Sequence, residues 1–163
     1  MKAFKLSAVE MGKLLGHVNS LNVAKNYATT MKPFFINEQI LGYLNPSFAD
    51  LIAKYNDVFS CYEDGLRLQP DVEKLDLQGR TSAIHRVNEI LRQQGVIHGW
   101  RNEMFAVSAD FDQPPAVLLE RAAVPFYGTK AYGVHVNGYV RDERHEISHL
   151  WVGTRSPTKQ TWP

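Results

Sequence analysis

The chain has 163 residues, 44% of them hydrophobic, and a formal net charge of +1, the balance of an ordinary globular protein rather than a disordered or collagen-like one. That neutrality removes the simplest argument for nucleic-acid binding, because the five lysines of the first 32 residues are spread out and form no basic cluster. One cysteine, Cys61, excludes an internal disulfide and fits a reducing compartment, the cytoplasm; no apolar run approaches the roughly 18 residues of a membrane span, and Glu10 and Lys13 interrupt any signal-peptide core.

In chain order, Val9, Met11, Leu14, Leu15 and Val18 recur near helical spacing, which predicts a helix over 7–18. Ser7 followed by Glu10 is a capping-box pattern. Residues 19–32 show no clear period. Phe34-Phe35-Ile36 reads as a short strand, Asn37-Glu38 as a turn, and Gln39 to Leu44 as the returning strand. Asn45-Pro46 opens a helix to about Tyr55. Val58 to Tyr62 is a strand, turned by Glu63-Asp64-Gly65 into Leu66-Arg67-Leu68. The strongest helix signal runs from a Thr81 cap to Gln94, with Ile84, Val87 and Leu91 on its apolar face and Gly95 as its stop. Glu103 to Ser108 is a strand. Leu118 to Tyr127 reads as a helix ending at Gly128, with Pro125 bending it. Lys130 to Val140 is β-rich, and Ile147 to Gly153 forms another strand beyond polar Arg141–Arg144. Mixed strands and helices with hairpins give an α+β fold, with small mixed sheets and flanking helices.

His145-Glu146-Ile147-Ser148-His149 has the H-E-x-x-H spacing of zinc metallopeptidases, in which a helix puts both imidazoles on one face. Here the flanks read as strands. A strand would hold the two Cα atoms about 13 Å apart, too far for one metal. A charged turn entering a strand is therefore the preferred reading, with a zinc metallopeptidase as the alternative. His135 and Asn137 share one strand face and either line a site or are solvated. His17, His85 and His98 are expected at the surface or on helix flanks. Cys61, in an apolar strand, is expected as a small core residue. Arg155 and Lys159 are spaced around a C-terminal loop, where they either hold a diphosphate or belong to a solvated tail. No Gly-rich phosphate loop and no G-x-S-x-G elbow occurs.

Three segments carry a family resemblance: Tyr132 to Val140 (YGVHVNGYV), Leu150 to Ser156 (LWVGTRS) and Lys159 to Pro163 (KQTWP). They closely resemble the thiamine-pyrophosphokinase-related branch of Nudix hydrolases. Pro33-Phe34-Phe35-Ile36, Gly42-Tyr43-Leu44, Pro46 and Glu120-Arg121-Ala122-Ala123 are similar to the N-terminal domain of that branch. The likeness spans most of the chain from about Lys32 and loosens before Asn102. It implies hydrolysis of a small-molecule diphosphate, specifically damaged thiamine diphosphates, with Mg²⁺ or Mn²⁺. It also implies substrate-binding roles for His135, Asn137, Arg155 and Lys159.

The departure is the missing Nudix box. No Arg-Glu-x-x-Glu-Glu occurs, so the family's metal-binding glutamates have no counterpart, and neither a catalytic nor a metal-ligating residue is assigned. The expected organisation is an N-terminal α+β domain over 1–124, followed by an incomplete Nudix-type β-hairpin over 125–163, truncated before the box. Such a chain is expected to be inactive alone and to bind no cofactor. It is expected to engage neither nucleic acid nor membrane, and to form a homo-oligomer through exposed strand edges. A non-catalytic binding or interaction domain is the other alternative.

Overall fold

The computed structural model describes residues 7–21, 29–134, 136–154 and 157. The chain divides into two compact units. One spans Val23–Tyr132, and the other joins Met1–Asn22 to Gly133–Pro163. The fold is α+β, with three small sheets.

The larger unit is built on a four-stranded sheet. Strands β1 (Lys32–Ile36) and β2 (Gln39–Leu44) form a hairpin. Asn37 and Glu38 both have positive φ, 50° and 59°, the two-residue turn whose twist matches that of the strands. In chain order the other unit's helix Ala8–Leu21 is α1, and the short helix Pro46–Ile52 that follows β2 is α2. Asn45 caps α2 by accepting from the Ser47 amide at 3.0 Å, and Pro46 sits at the first helical position. Strands β3 (Phe59–Tyr62) and β4 (Gly65–Leu68) form a second hairpin, and β4 pairs in parallel with β1, giving the order β2-β1-β4-β3. Alternation buries Phe34, Ile36, Leu66 and Leu68 on one face.

After the single turn α3 (Pro70–Glu73) comes α4 (Leu77–Gln93), whose Ile84, Val87 and Leu91 are fully buried. The helix begins four residues before Thr81. Its cap is Asp76, which accepts from the Gly79 amide at 2.7 Å. Thr81 lies inside the helix, buried, and its Oγ1 accepts from the Leu118 amide at 3.0 Å. At the other end the Val96 amide donates to Leu91 O and the Gly95 amide to Arg92 O, with Gly95 at φ +72°. This is the Schellman arrangement that the Gly95 stop predicted.

Strands β5 (Met104–Val107) and β6 (Val117–Glu120) form an antiparallel pair. The expected helix over 118–127 is therefore a strand followed by one helical turn, α5 (Val124–Tyr127). A short apolar run cannot be assigned by period alone, and here pairing with β5 decides it. Glu120 is fully buried at the strand's end. Its carboxylate accepts from the Arg101 amide at 2.9 Å and the Glu103 amide at 3.0 Å. Tyr127 is also fully buried, packs on Phe34 and Phe48, and donates to Asn88 Oδ1 at 3.0 Å.

In the smaller unit, α1 carries the predicted capping box. Ser7 donates from its amide and its hydroxyl to Glu10 Oε2 at 2.9 and 2.7 Å, and the Glu10 amide donates to Ser7 Oγ at 3.3 Å. Strands β7 (Tyr139–Arg141) and β8 (Ile147–Leu150) form a hairpin. The pairing is shorter than expected. Of the described residues in 130–140, only Tyr139 and Val140 belong to a strand, and β8 stops at Leu150 rather than Gly153. Residues 7–20, 133, 134, 136–154 and 157 of this unit are exposed.

Candidate functional site

Asp142 organises the turn of the β7–β8 hairpin. Its Oδ1 accepts from the Arg144 amide at 2.9 Å and the Glu146 amide at 3.0 Å, and its own amide donates to Glu146 O at 2.9 Å. His145 occupies the turn with φ +60°, while His149 lies in β8. The H-E-x-x-H spacing therefore straddles a turn and a strand. It does not put two imidazoles on one helix face, and the metallopeptidase alternative loses its geometric basis. Among the described residues, no group of three His, Cys, Asp or Glu side chains could hold a metal ion.

Of the four residues expected to bind substrate, Asn137 is described. It is exposed in the segment leading into β7. His135, Arg155 and Lys159 lie outside the described residues. Around Asn137 the hairpin shows large apolar side chains to solvent. Trp151 and Val152 are 77% and 86% exposed, and Leu150 is 64% exposed. The Trp151 amide donates to Gly138 O at 2.9 Å, so the apolar surface continues past the formal strand ends.

The larger unit contributes a separate feature that the sequence did not reveal. A groove of about 560 Å³ runs beside α2, floored by Phe48, Leu51, Val96 and Phe126 and rimmed by Asp50 and Lys54. A hollow of about 240 Å³ shares Phe48 and Phe126 with it and extends to Met31 and Tyr43. The Phe48 and Phe126 rings meet at 5.2 Å. Asp50 is paired with Lys32 at 2.8 Å, whereas the Lys54 ammonium has no ion-pair partner among the described residues. The lining comes from positions about 30 to 80 apart in sequence, so no local pattern could have exposed it.

Two other clusters are structural in character. On the open face of the four-stranded sheet, the Arg67 guanidinium lies 4.2 Å from the Phe35 ring centroid and 5.3 Å from that of Tyr62. It donates twice to Asp64, at 2.7 and 2.8 Å, and this bidentate pairing holds the Asp64 carboxyl below the usual range. Arg86 donates once, to Asp57 Oδ2, and also holds that carboxyl below the usual range. On α4, the His85 ring lies 5.3 Å from Trp100, with the Arg92 guanidinium 5.0 Å from the same indole. His17 and His98 are exposed and His85 is half-buried, as surface or flank positions require. Cys61 corrects an expectation: it is exposed in β3, an edge strand, rather than packed in the core. Edge position removes the neighbouring strand that would have covered it.

Residues 13–131 match the family described as Domain of unknown function (DUF4743). Nudix hydrolase 24, chloroplastic, of Arabidopsis thaliana is 40% identical over 131 residues, covering 80% of this chain and 35% of its own length. Nudix hydrolase 20, chloroplastic, of the same plant is 36% identical over 155 residues, covering 90% of this chain and 40% of its own. A Saccharomyces cerevisiae protein described as uncharacterized is 48% identical over 67 residues, 41% of this chain and 19% of its own length. The chain thus spans two-fifths or less of each of these relatives. No helix among the described residues is long and apolar enough to cross a membrane.

Proposed function

Starting from a chain that belongs to the DUF4743 family and is related to the Nudix hydrolases, we propose that it is the N-terminal part of a Nudix-type diphosphate hydrolase of the thiamine-pyrophosphokinase-related branch. Its substrates in complete form are thiamine diphosphate analogues, the oxothiamine and oxythiamine diphosphates, cut to monophosphates. One observation carries this reading. The match to Nudix hydrolase 20 covers 90% of the chain and so extends beyond residue 131, where the domain match ends, into the hairpin segment.

In this reading the C-terminal segment binds and orients substrate. Arg155 and Lys159 set positive charge against the diphosphate, Arg through its planar fork and Lys as a point charge. His135 and Asn137 offer hydrogen bonds on the substrate side of the hairpin. In the complete hydrolase, Mg²⁺ or Mn²⁺ would polarise a phosphoryl oxygen and activate water. The donor set of this chain does not fit that ion, because its sequence has no Arg-Glu-x-x-Glu-Glu and its described residues hold no cluster of ligating side chains. The role assigned to these 163 residues is recognition, not bond cleavage. The lone Cys61 supports a reducing compartment, which we take as the cytoplasm, while the Arabidopsis relatives carry chloroplastic names.

The test compares two proteins with oxythiamine diphosphate and Mg²⁺. One is the chain alone. The other is the chain joined to the portion of Nudix hydrolase 20 that follows its matched segment. Monophosphate should appear only with the joined protein. Chelator-sensitive release by the chain alone would overturn the recognition-only role. Activity of the joined protein on other diphosphates but not on thiamine analogues would overturn the substrate.

A further inference from the structure

We propose that the groove beside α2 receives helix α1 of a second copy of this chain, in a reciprocal exchange that makes a dimer. The two features are complementary, an apolar helix stripe and an apolar groove floor. On α1, Met11, Leu14, Leu15 and Val18 fall at i, i+3, i+4 and i+7, the spacing by which a helix is read in a groove, and they are 42%, 51%, 52% and 57% exposed. At 14 residues the helix is about 21 Å long. The groove offers Phe48, Leu51, Val96 and Phe126 as an apolar floor.

Charge sets the register. Glu10 flanks the apolar stripe at the start of α1, and only its Oε2 is taken by the Ser7 cap. Its Oε1 is the acceptor that meets the Lys54 ammonium on the groove rim, which has no ion-pair partner among the described residues. Each copy carries one stripe and one groove, so a two-fold exchange satisfies both and closes without leaving an open end. The proposal does not depend on the hydrolase reading.

Two measurements test it. The first is sedimentation equilibrium on the full 163-residue chain. A reversible dimer is expected, and Leu14→Glu with Leu15→Glu should raise its dissociation constant at least about tenfold, since two apolar anchors are lost. Lys54→Glu should weaken it, and Ile147→Lys on the hairpin should leave it unchanged. A monomer at every concentration overturns the proposal. So does a dimer that ignores the α1 changes and is broken by Ile147→Lys, which is association through strand edges. The second measurement does not rely on a disruptive variant. In a Cys61→Ser background, chains bearing only Leu15→Cys are mixed with chains bearing only Leu51→Cys. Disulfides should join unlike chains. Bonds only between like chains, or none under oxidation, overturn the proposal.

Discussion

Gly42 and Gly128 let two stretches of backbone touch. The Tyr43 amide donates to Gly128 O at 3.3 Å, and Gly42 bridges Thr129 beside it. A Cβ on Gly128 would stand 2.0 Å from Tyr43 O, and one on Gly42 would stand 2.2 Å from Tyr127 O. The crossing lays the end of α5 against β2 and seats Tyr127 in the core. Gly128→Ala must also hold φ +56°. Either alanine variant should cost about 2–3 kcal/mol through forced backbone displacement. Urea denaturation followed by circular dichroism measures this, and an unchanged midpoint in both variants would contradict the contact.

Glu120 gives a second stability prediction. Besides a longer bond from the Ala122 amide at 3.4 Å, its buried carboxylate accepts from the amides of two loop residues, Arg101 and Glu103, with Asn102 between them at φ +56°. Glu120→Ala leaves both donors without an acceptor, at a cost of about 2–4 kcal/mol. Glu120→Gln keeps the volume but turns an amide NH₂ toward one of the donors, so it should recover only part of that loss. Hydrogen exchange of the Arg101 and Glu103 amides should quicken in both variants. Full protection in Glu120→Ala would mean the carboxylate is not their partner.

The Asp64–Arg67 pair predicts a pH dependence. Arg67 lowers the folded-state pKa of Asp64, so the pair's contribution is present above the ordinary aspartate range and is lost as pH falls through the lowered value. Asp64→Asn should therefore melt below the wild type at pH 7 and converge with it as pH falls through the lowered value. A melting difference that persists undiminished at acid pH would point to lost packing of Arg67 on Phe35 rather than to charge.

Metal content tests the hairpin. With His145 in a turn and His149 in a strand, purified chain should carry no stoichiometric zinc. Elemental analysis after purification without added zinc decides it. One equivalent that disappears in His149→Ala would mean that the two imidazoles converge.

What the sequence made legible was local. The Asn37-Glu38 turn, the Asn45-Pro46 cap, the Ser7/Glu10 box and the Gly95 stop are each decided by residues within a few positions, and each appears in the structure. The misreadings have long-range causes. Thr81 looked like a cap because its hydroxyl is polar at the start of an apolar period, yet that hydroxyl serves the Leu118 amide 37 residues away. Residues 117–120 became a strand through β5, and Cys61 became exposed through its place at a sheet edge. The candidate site was legible by family resemblance alone. Asn137 is the one member that the structure describes, and the groove beside α2 left no trace in the sequence pattern.

Helix α1 offers the last prediction, because Met11, Leu14, Leu15 and Val18 on it are exposed. A 14-residue helix without a packed face is marginal in water, so its local cap carries unusual weight. Hydrogen bonds from Ser7 hold the Glu10 carboxyl below its ordinary pKa. The stabilisation is thus complete above the ordinary glutamate range and is lost as pH falls through the lowered value, when Glu10 takes up a proton and stops accepting. In dilute protein, α1 helicity from ¹³Cα shifts should fall on acidification, and Glu10 should titrate below the ordinary glutamate range. Ser7→Ala should lower helicity at neutral pH and return Glu10 to the ordinary range. At concentrations where copies associate through α1, the helix should resist both changes, because burial of Leu14 and Leu15 then adds to the cap. If dilution leaves helicity and the Glu10 titration unmoved, the capping box is not what holds α1 in the free chain.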